Sequence, residues 1–246
     1  MAEMRYRSIF ISDIHLGSLG CQAEKLTTFL KNNESENLYL VGDIIDGWRL
    51  KDRWYWPQGH SNVIRRILTK AKRDTNVYYI TGNHDEFLRK WTNQESIDVG
   101  NISIINNKVY EALDGKKYFV VHGDMFDSLM RSGKWLMFVG DFIYDQLVRL
   151  NMIMNKIGKF FGLPYWSLSK FLKENTKAAL VYIQRYENYI VEYCKKNKYD
   201  GVITGHIHTP KIKNENGIVY MNCGDWVENC TAIVETMDGE WKIITE

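Results

Sequence analysis

Five of the six histidines in this sequence stand beside Asp, Asn or Gly, each group closing a short apolar run. Asp13-Ile14-His15 follows the first run and Gly42-Asp43-Ile44-Ile45-Asp46 the second. The third ends in Gly82-Asn83-His84-Asp85, the fourth in His122-Gly123-Asp124, and the fifth in Gly205-His206-Ile207-His208. Only His60 lies elsewhere. Carboxylate oxygens and neutral imidazoles suit Mn, Fe, Zn or Co, and the absence of Cys from the set argues against a structural zinc site. The donors are too many for one ion. Two ions about 3.5–4 Å apart, bridged by one carboxylate and a water, would use them all. Such a pair lowers the pKa of the water and clamps both oxygens of an in-line phosphoryl displacement.

Each motif alone has a plainer reading. Asp13 or Asp43 could cap a helix or sit in a turn, His122 could be a hydrogen-bonded core histidine, and Gly-Asn-His-Asp is most often a turn. Five such groups at five run ends favour a shared site. Asp46, Asp85 and Asp124 read equally as residues that orient a ligand and as turn residues. His60, in the aromatic stretch 54–60, reads as packing or as a cap of the following helix.

These groups need elements to bring them together. The apolar runs 8–12, 38–41, 77–81, 118–121 and 202–204 have the length and β-branched or aromatic content of buried strands. Helical spacing occurs at 23–31 and 62–72 between the first three. Alternating strands and helices predict an α/β fold whose strand carboxyl ends converge on one rim, where ligands bind. Runs 102–105, 219–222, 231–235 and 241–244 read as further strands in antiparallel pairs. From about 125 to 196 the pattern is helical throughout, an insertion within one 1–246 domain.

In this order the five motifs resemble the signature of the calcineurin-like metallophosphoesterase superfamily. The resemblance implies a four-layer α/β/β/α sandwich. It assigns Asp13, His15, Asp43 and His208 to a first metal, and Asn83, His122 and His206 to a second, with Asp43 bridging. His84 would stand beside the scissile phosphate, stabilising its charge or protonating the leaving group. Segments 10–17 (FISDIHLG), 41–50 (VGDIIDGWRL), 54–57 (WYWP), 83–87 (NHDEF), 162–168 (GLPYWSL) and 223–228 (CGDWVE) are further similar to a UDP-2,3-diacylglucosamine pyrophosphatase-like subgroup. That likeness covers roughly residues 5 to 240. It implies hydrolysis of UDP-2,3-diacylglucosamine to UMP and 2,3-diacylglucosamine 1-phosphate, a step of lipid A synthesis, with Mn²⁺ as the expected ion. The pattern departs at His84, where the best-known members carry Arg.

The insertion supports an amphiphilic substrate. It is rich in aromatics, Trp166 and Phe171 among them, and between Arg131 and Lys177 eight basic residues face three acidic ones. Such a segment suits an anionic membrane surface, and it could instead roof the cleft and contact acyl chains. Its aromatics could also be the insertion's own core. The overall charge of +2 does not suggest nucleic acid as a partner. With 45% hydrophobic and 25% charged residues the composition is that of an ordinary globular protein. No apolar run reaches the roughly 18 residues of a spanning helix, and four cysteines without CxxC spacing read as reduced thiols. The expected location is cytoplasmic, peripherally on the inner face of the membrane. A soluble phosphodiester or nucleotide substrate, and a catalytically silent scaffold, are the competing readings.

Overall fold

The computed structural model describes residues 4–92, 96–129 and 177–246, with isolated positions 150, 154, 155 and 162. The chain opens with β1 (Met4–Ile11), α1 (Ala23–Asn32), β2 (Asn33–Val41), α2 (Gly47–Asp52) and α3 (Gln58–Lys72). There follow β3 (Asn76–Ile80), α4 (Glu86–Thr92), β4 (Ile97–Val99), β5 (Ile102–Ile105), β6 (Asn107–Glu111), β7 (Lys117–Val121) and α5 (Asp124–Leu129). The last part holds α6 (Lys177–Asn197), β8 (Gly201–Thr204), β9 (Lys211–Glu215), β10 (Ile218–Asn222), β11 (Thr231–Thr236) and β12 (Trp241–Thr245). Two compact units divide it, Met1–Asp124 with Ile190–Glu246, and Met125–Tyr189.

In the first unit the strands form two sheets, ordered β12-β11-β1-β2-β3-β5-β4 and β6-β7-β8-β10-β9. Period-2 alternation explains the layering, because neighbouring side chains on a strand face opposite sides. Ile9 and Ile11, Leu38 and Leu40, and Val77 and Tyr79 face α1 and α3, packing on Leu26, Phe29, Leu30, Val63 and Ile67. Those helical residues recur at three- and four-residue spacing, as one buried stripe requires. The alternate residues Phe10, Tyr39, Val41 and Ile80 meet Tyr110, Tyr118, Val120, Ile203 and Met221 of the second sheet. On that sheet's outer side Phe119 packs on Tyr193 of α6 and on Tyr199, ring centroids 5.6 and 5.1 Å apart. The architecture is therefore the four-layer α/β/β/α sandwich.

Two pairings differ from the sequence expectation. β5 lies parallel to β3, and β10 lies parallel to β8. Each also has an antiparallel neighbour, β4 and β9 respectively. Both parallel pairs are joined by connections long enough to cross over, through α4 and β4 in one case and β9 in the other. In the second unit, Phe126 and Tyr186 are buried with ring centroids 6.3 Å apart, and the Tyr182 hydroxyl donates to Asp127. Of the 125–196 segment, α5 and α6 are helical as expected. Trp166 and Phe171 lie outside the described residues.

Candidate metal centre

The loops after β1, β2, β3, β7 and β8 meet at one edge and bond to one another through the main chain. Asp13 N donates to Gly42 O at 3.0 Å, His15 N to Asp43 O at 2.9 Å, and Gly205 N to His122 O at 3.0 Å. Among the described residues nine non-glycine positions have positive φ, and five of them are Asp13, His15, Asp43, His206 and His208. The left-handed region disfavours L-residues, and such conformations persist where the surroundings impose them, commonly at functional sites. Gly42 and Gly82 make room: a Cβ at Gly42 (φ +79°) would overlap the His122 ring, and one at Gly82 would overlap the Asp43 carboxylate.

All seven residues expected as ligands converge here. Asp13, His15 and His208 offer donor atoms within 4.8 Å of one another, and so do Asp43, His122 and His206. Asn83 joins the second group through Oδ1, 3.2 Å from His122 Nε2. Asp43 Oδ2 faces both groups, 3.2 Å from His122 Nε2 and 4.0 Å from His15 Nε2. Asp13 Oδ1 and His15 Nε2 are buried without a hydrogen bond, although His208 Nε2 lies 3.0 Å from the former. These two unsatisfied atoms are 3.9 Å apart. Metal–ligand bonds of about 2.0–2.2 Å would span that gap, so the donor set fits a divalent cation.

Asp46 organises two histidines at once. Its Oδ2 lies 3.2 Å from His15 Nδ1 and its Oδ1 2.8 Å from His84 Nδ1, while Oδ1 also accepts from Arg49 N and caps α2. With Nδ1 engaged as donor, each ring turns its Nε2 toward the centre. Asp85 instead accepts from Ile44 N, Ile45 N and the Tyr79 hydroxyl, holding the loop that carries Asp43. Asp124 pairs with Arg89. His60 is buried away from the centre, accepting from Gly17 N at Nδ1 and edging onto Trp56, so it packs.

Burial alone would raise the carboxylates, but histidine charge outweighs it. His208 and His122 hold Asp13 low, and His122 and His84 hold Asp43 low. Asp46 is likewise raised by burial yet held low by its bonds from His15 and His84. Conversely, burial lowers His15 and His122, but Asp46 takes the first up to about 9 and Asp43 with Asp13 the second to about 10. Burial and the Asp43 charge push Asp85 up to about 6. Raised in this way, His15 and His122 favour their protonated forms, and a divalent ion would displace those protons. The cysteines are free and raised by burial, Cys194 to about 12 and Cys230 to about 11.

Sequence reasoning missed three contributors. Trp48 lies against His84, ring centroids 4.2 Å apart. Ser12 donates to Asp13. Asp225, 3.9 Å from His208 Nδ1, accepts from the main chain of Val227, Glu228 and Asn229. Its signal was present, since Gly224-Asp225 follows an apolar run as Gly42-Asp43 does.

The sequence pattern of the Calcineurin-like phosphoesterase family matches residues 6–210. The chain belongs to this family. It is a hydrolase of the metallophosphoesterase type, and its donor groups are those of a metal-binding member. This phosphoesterase is 24% identical to the UDP-2,3-diacylglucosamine hydrolase of Blochmanniella pennsylvanica over 87% of each chain. It is also 24% identical to the enzyme of the same name from Psychromonas ingrahamii over 92% of each chain. Identity is 26% to the DNA polymerase II small subunit of Methanothermobacter thermautotrophicus, over 90% of this phosphoesterase and 48% of that protein. No helix among its described residues is long and apolar enough to cross a membrane.

Proposed function

We propose that this phosphoesterase holds two divalent ions, Mn²⁺ for preference, and hydrolyses the pyrophosphate of UDP-2,3-diacylglucosamine to UMP and 2,3-diacylglucosamine 1-phosphate. The supporting observation is the pair of neighbouring donor groups, with Asp43 Oδ2 of the second 4.0 Å from His15 Nε2 of the first, and with Asp13 Oδ1 and His15 Nε2 of the first unsatisfied. Asp13, His15 and His208 would hold one ion, and Asn83, His122 and His206 the other, with Asp43 common to both. When bound, the ions supply Lewis-acid polarisation of phosphoryl oxygens and a water of lowered pKa. His84 is the catalytic side chain. Asp46 holds its Nδ1, so Nε2, 3.9 Å from Asp43 Oδ2, is left to donate to a phosphoryl or leaving-group oxygen. The lipid substrate rests on the names of the relatives and on the basic, aromatic segment that includes Trp166 and Phe171. To that segment we assign the acyl-chain contacts and the hold on the inner, anionic face of the membrane, facing the cytoplasm.

The decisive measurement compares kcat/KM for UDP-2,3-diacylglucosamine with that for UDP-N-acetylglucosamine, in Mn²⁺ after chelator treatment. Each buried CH₂ contributes about 0.8 kcal/mol, so the lipid substrate should be strongly favoured. Replacing Trp166 and Phe171 by Ala should erase that preference and spare a small activated diester. In ¹⁸O-water the label should enter UMP. Comparable rates on both UDP-sugars would move the assignment to a general nucleotide pyrophosphatase. His84 in place of the subgroup's Arg favours testing soluble phosphodiesters in the same series.

A further inference from the structure

Arg89 lies on α4, six residues beyond Asn83. Its Nη1 and Nη2 donate to Oδ2 and Oδ1 of Asp124 at 2.7 and 2.8 Å, a two-pronged charged pair. The same guanidinium donates through Nε to Thr81 Oγ1 at 3.3 Å and through Nη2 to the Thr81 carbonyl at 3.0 Å. Thr81 precedes Asn83 by two residues, and Asp124 follows His122 by two. One side chain therefore ties the end of β3, in the seven-stranded sheet, to the end of β7, in the five-stranded sheet. The residues that those ends present, Asn83 and His122, face each other at 3.2 Å. The anchor is itself held: Asn106 Oδ1 accepts from Thr81 Oγ1 and Thr92 Oγ1, each at 2.7 Å.

Away from this edge the contact between the sheets is largely apolar, and at the edge His122 Nδ1 also meets the Val41 carbonyl of β2 at 3.0 Å. Apolar packing sets how far apart two layers lie but is not directional. A metal site tolerates only about ±0.2 Å in its ligand distances. Something directional must fix how far one sheet slides along the other at this edge. The two-pronged Arg89–Asp124 pair does so at the Asn83–His122 half, and a lysine could not reproduce its planar fork.

We infer that Arg89 is a positioning residue for the half of the metal centre formed by Asp43, Asn83, His122 and His206, setting the register of the β3 and β7 ends through Asp124. The inference rests on the two-ion reading above. Its test is Mn²⁺ titration of chelator-stripped full-length protein by calorimetry, with electron paramagnetic resonance reporting whether two Mn²⁺ ions are magnetically coupled. Wild type should take two ions per chain with a coupled signal. Arg89→Ala should keep one ion at wild-type affinity and bind the other about 10–100-fold more weakly, with uncoupled Mn²⁺ at equal loading. The weakened ion should be the one lost in His122→Ala. Asp124→Ala should reproduce the effect, and the double variant should be no worse than either single one. Arg89→Lys, which keeps the charge, should fall nearer to Ala than to wild type and carries the test if Ala prevents folding. Unchanged affinities, or equal weakening of both ions, would overturn the positioning role, the second by showing a general loosening. A wild-type protein that takes a single ion would overturn the two-ion reading and this inference with it.

Discussion

His84 and His122 sit within one cluster but have different partners, so the roles proposed for them can be separated. His122 is fully buried, with Nδ1 3.0 Å from the Val41 carbonyl and Nε2 3.2 Å from both Asn83 Oδ1 and Asp43 Oδ2. His84 touches Asp46 with Nδ1, and its Nε2 is 3.9 Å from the nearest centre carboxylate. Replacing His84 by Ala should leave metal content intact while lowering kcat on the order of 10²–10³-fold. His122→Ala should lose metal along with activity. Elemental analysis of both variants checks this, and equal metal loss would contradict the division. Asp46→Ala should do some of each, because one carboxylate holds both His15 and His84. A loss of about 10–100-fold in metal affinity is expected for such an orienting residue, together with a fall in kcat at saturating metal.

At the scale of elements, the parts that position the centre were legible to different degrees. Strands β1, β2, β3, β7 and β8 announce themselves by apolar runs that stop at Gly, Asp, Asn or His. Helices α1 and α3 do so by their buried stripes. α2 is only six residues long and buries none of them completely, so no periodicity marks it. α4 has seven residues and buries only Thr92, yet it carries Arg89. β4 is three residues long, and β9 is largely exposed. Such pieces take their conformation from what they dock on rather than from their own pattern. The positive φ values at the centre are equally invisible in sequence, since they arise from loop-to-loop bonding. Gly82 connects the two levels. A methyl group there would press on Asp43 and, through it, on both donor groups. Gly82→Ala should therefore lose metal binding and destabilise the protein by about 1–3 kcal/mol, measurable by denaturant unfolding. A Gly100→Ala control, where a Cβ meets nothing within 4 Å but the backbone is left-handed (φ +60°), should lose about 1–2 kcal/mol to that strain and retain metal.

For the molecule as a whole, the centre is where the two sheets are bound together by polar groups. Asp13, His15, Asp43 and Asn83 come from the seven-stranded sheet, and His122, His206 and His208 from the other. Without metal, the charges balance through protons on His15 and His122, raised to about 9 and about 10. Groups whose pKa is raised on folding stabilise fully below their unfolded value, near 6.5, and that stabilisation fades as pH climbs through the folded value. Chelator-stripped protein should accordingly lose stability between pH 6.5 and about 10. Metal-loaded protein should behave in the opposite way across the lower part of this window, because ions compete with those same protons and bind more tightly as pH rises. At free metal 100-fold above Kd each ion adds about 2.7 kcal/mol, about 5 for the pair, or about 10–20 °C in Tm for a chain of this length. Thermal melts of stripped and Mn²⁺-loaded protein from pH 6.5 to 8.5 should therefore diverge as pH increases. Mixing stripped protein with Mn²⁺ near pH 7 in weak buffer should also release protons. Melting curves that stay parallel, with no proton release, would show that these histidines are not where the ions bind.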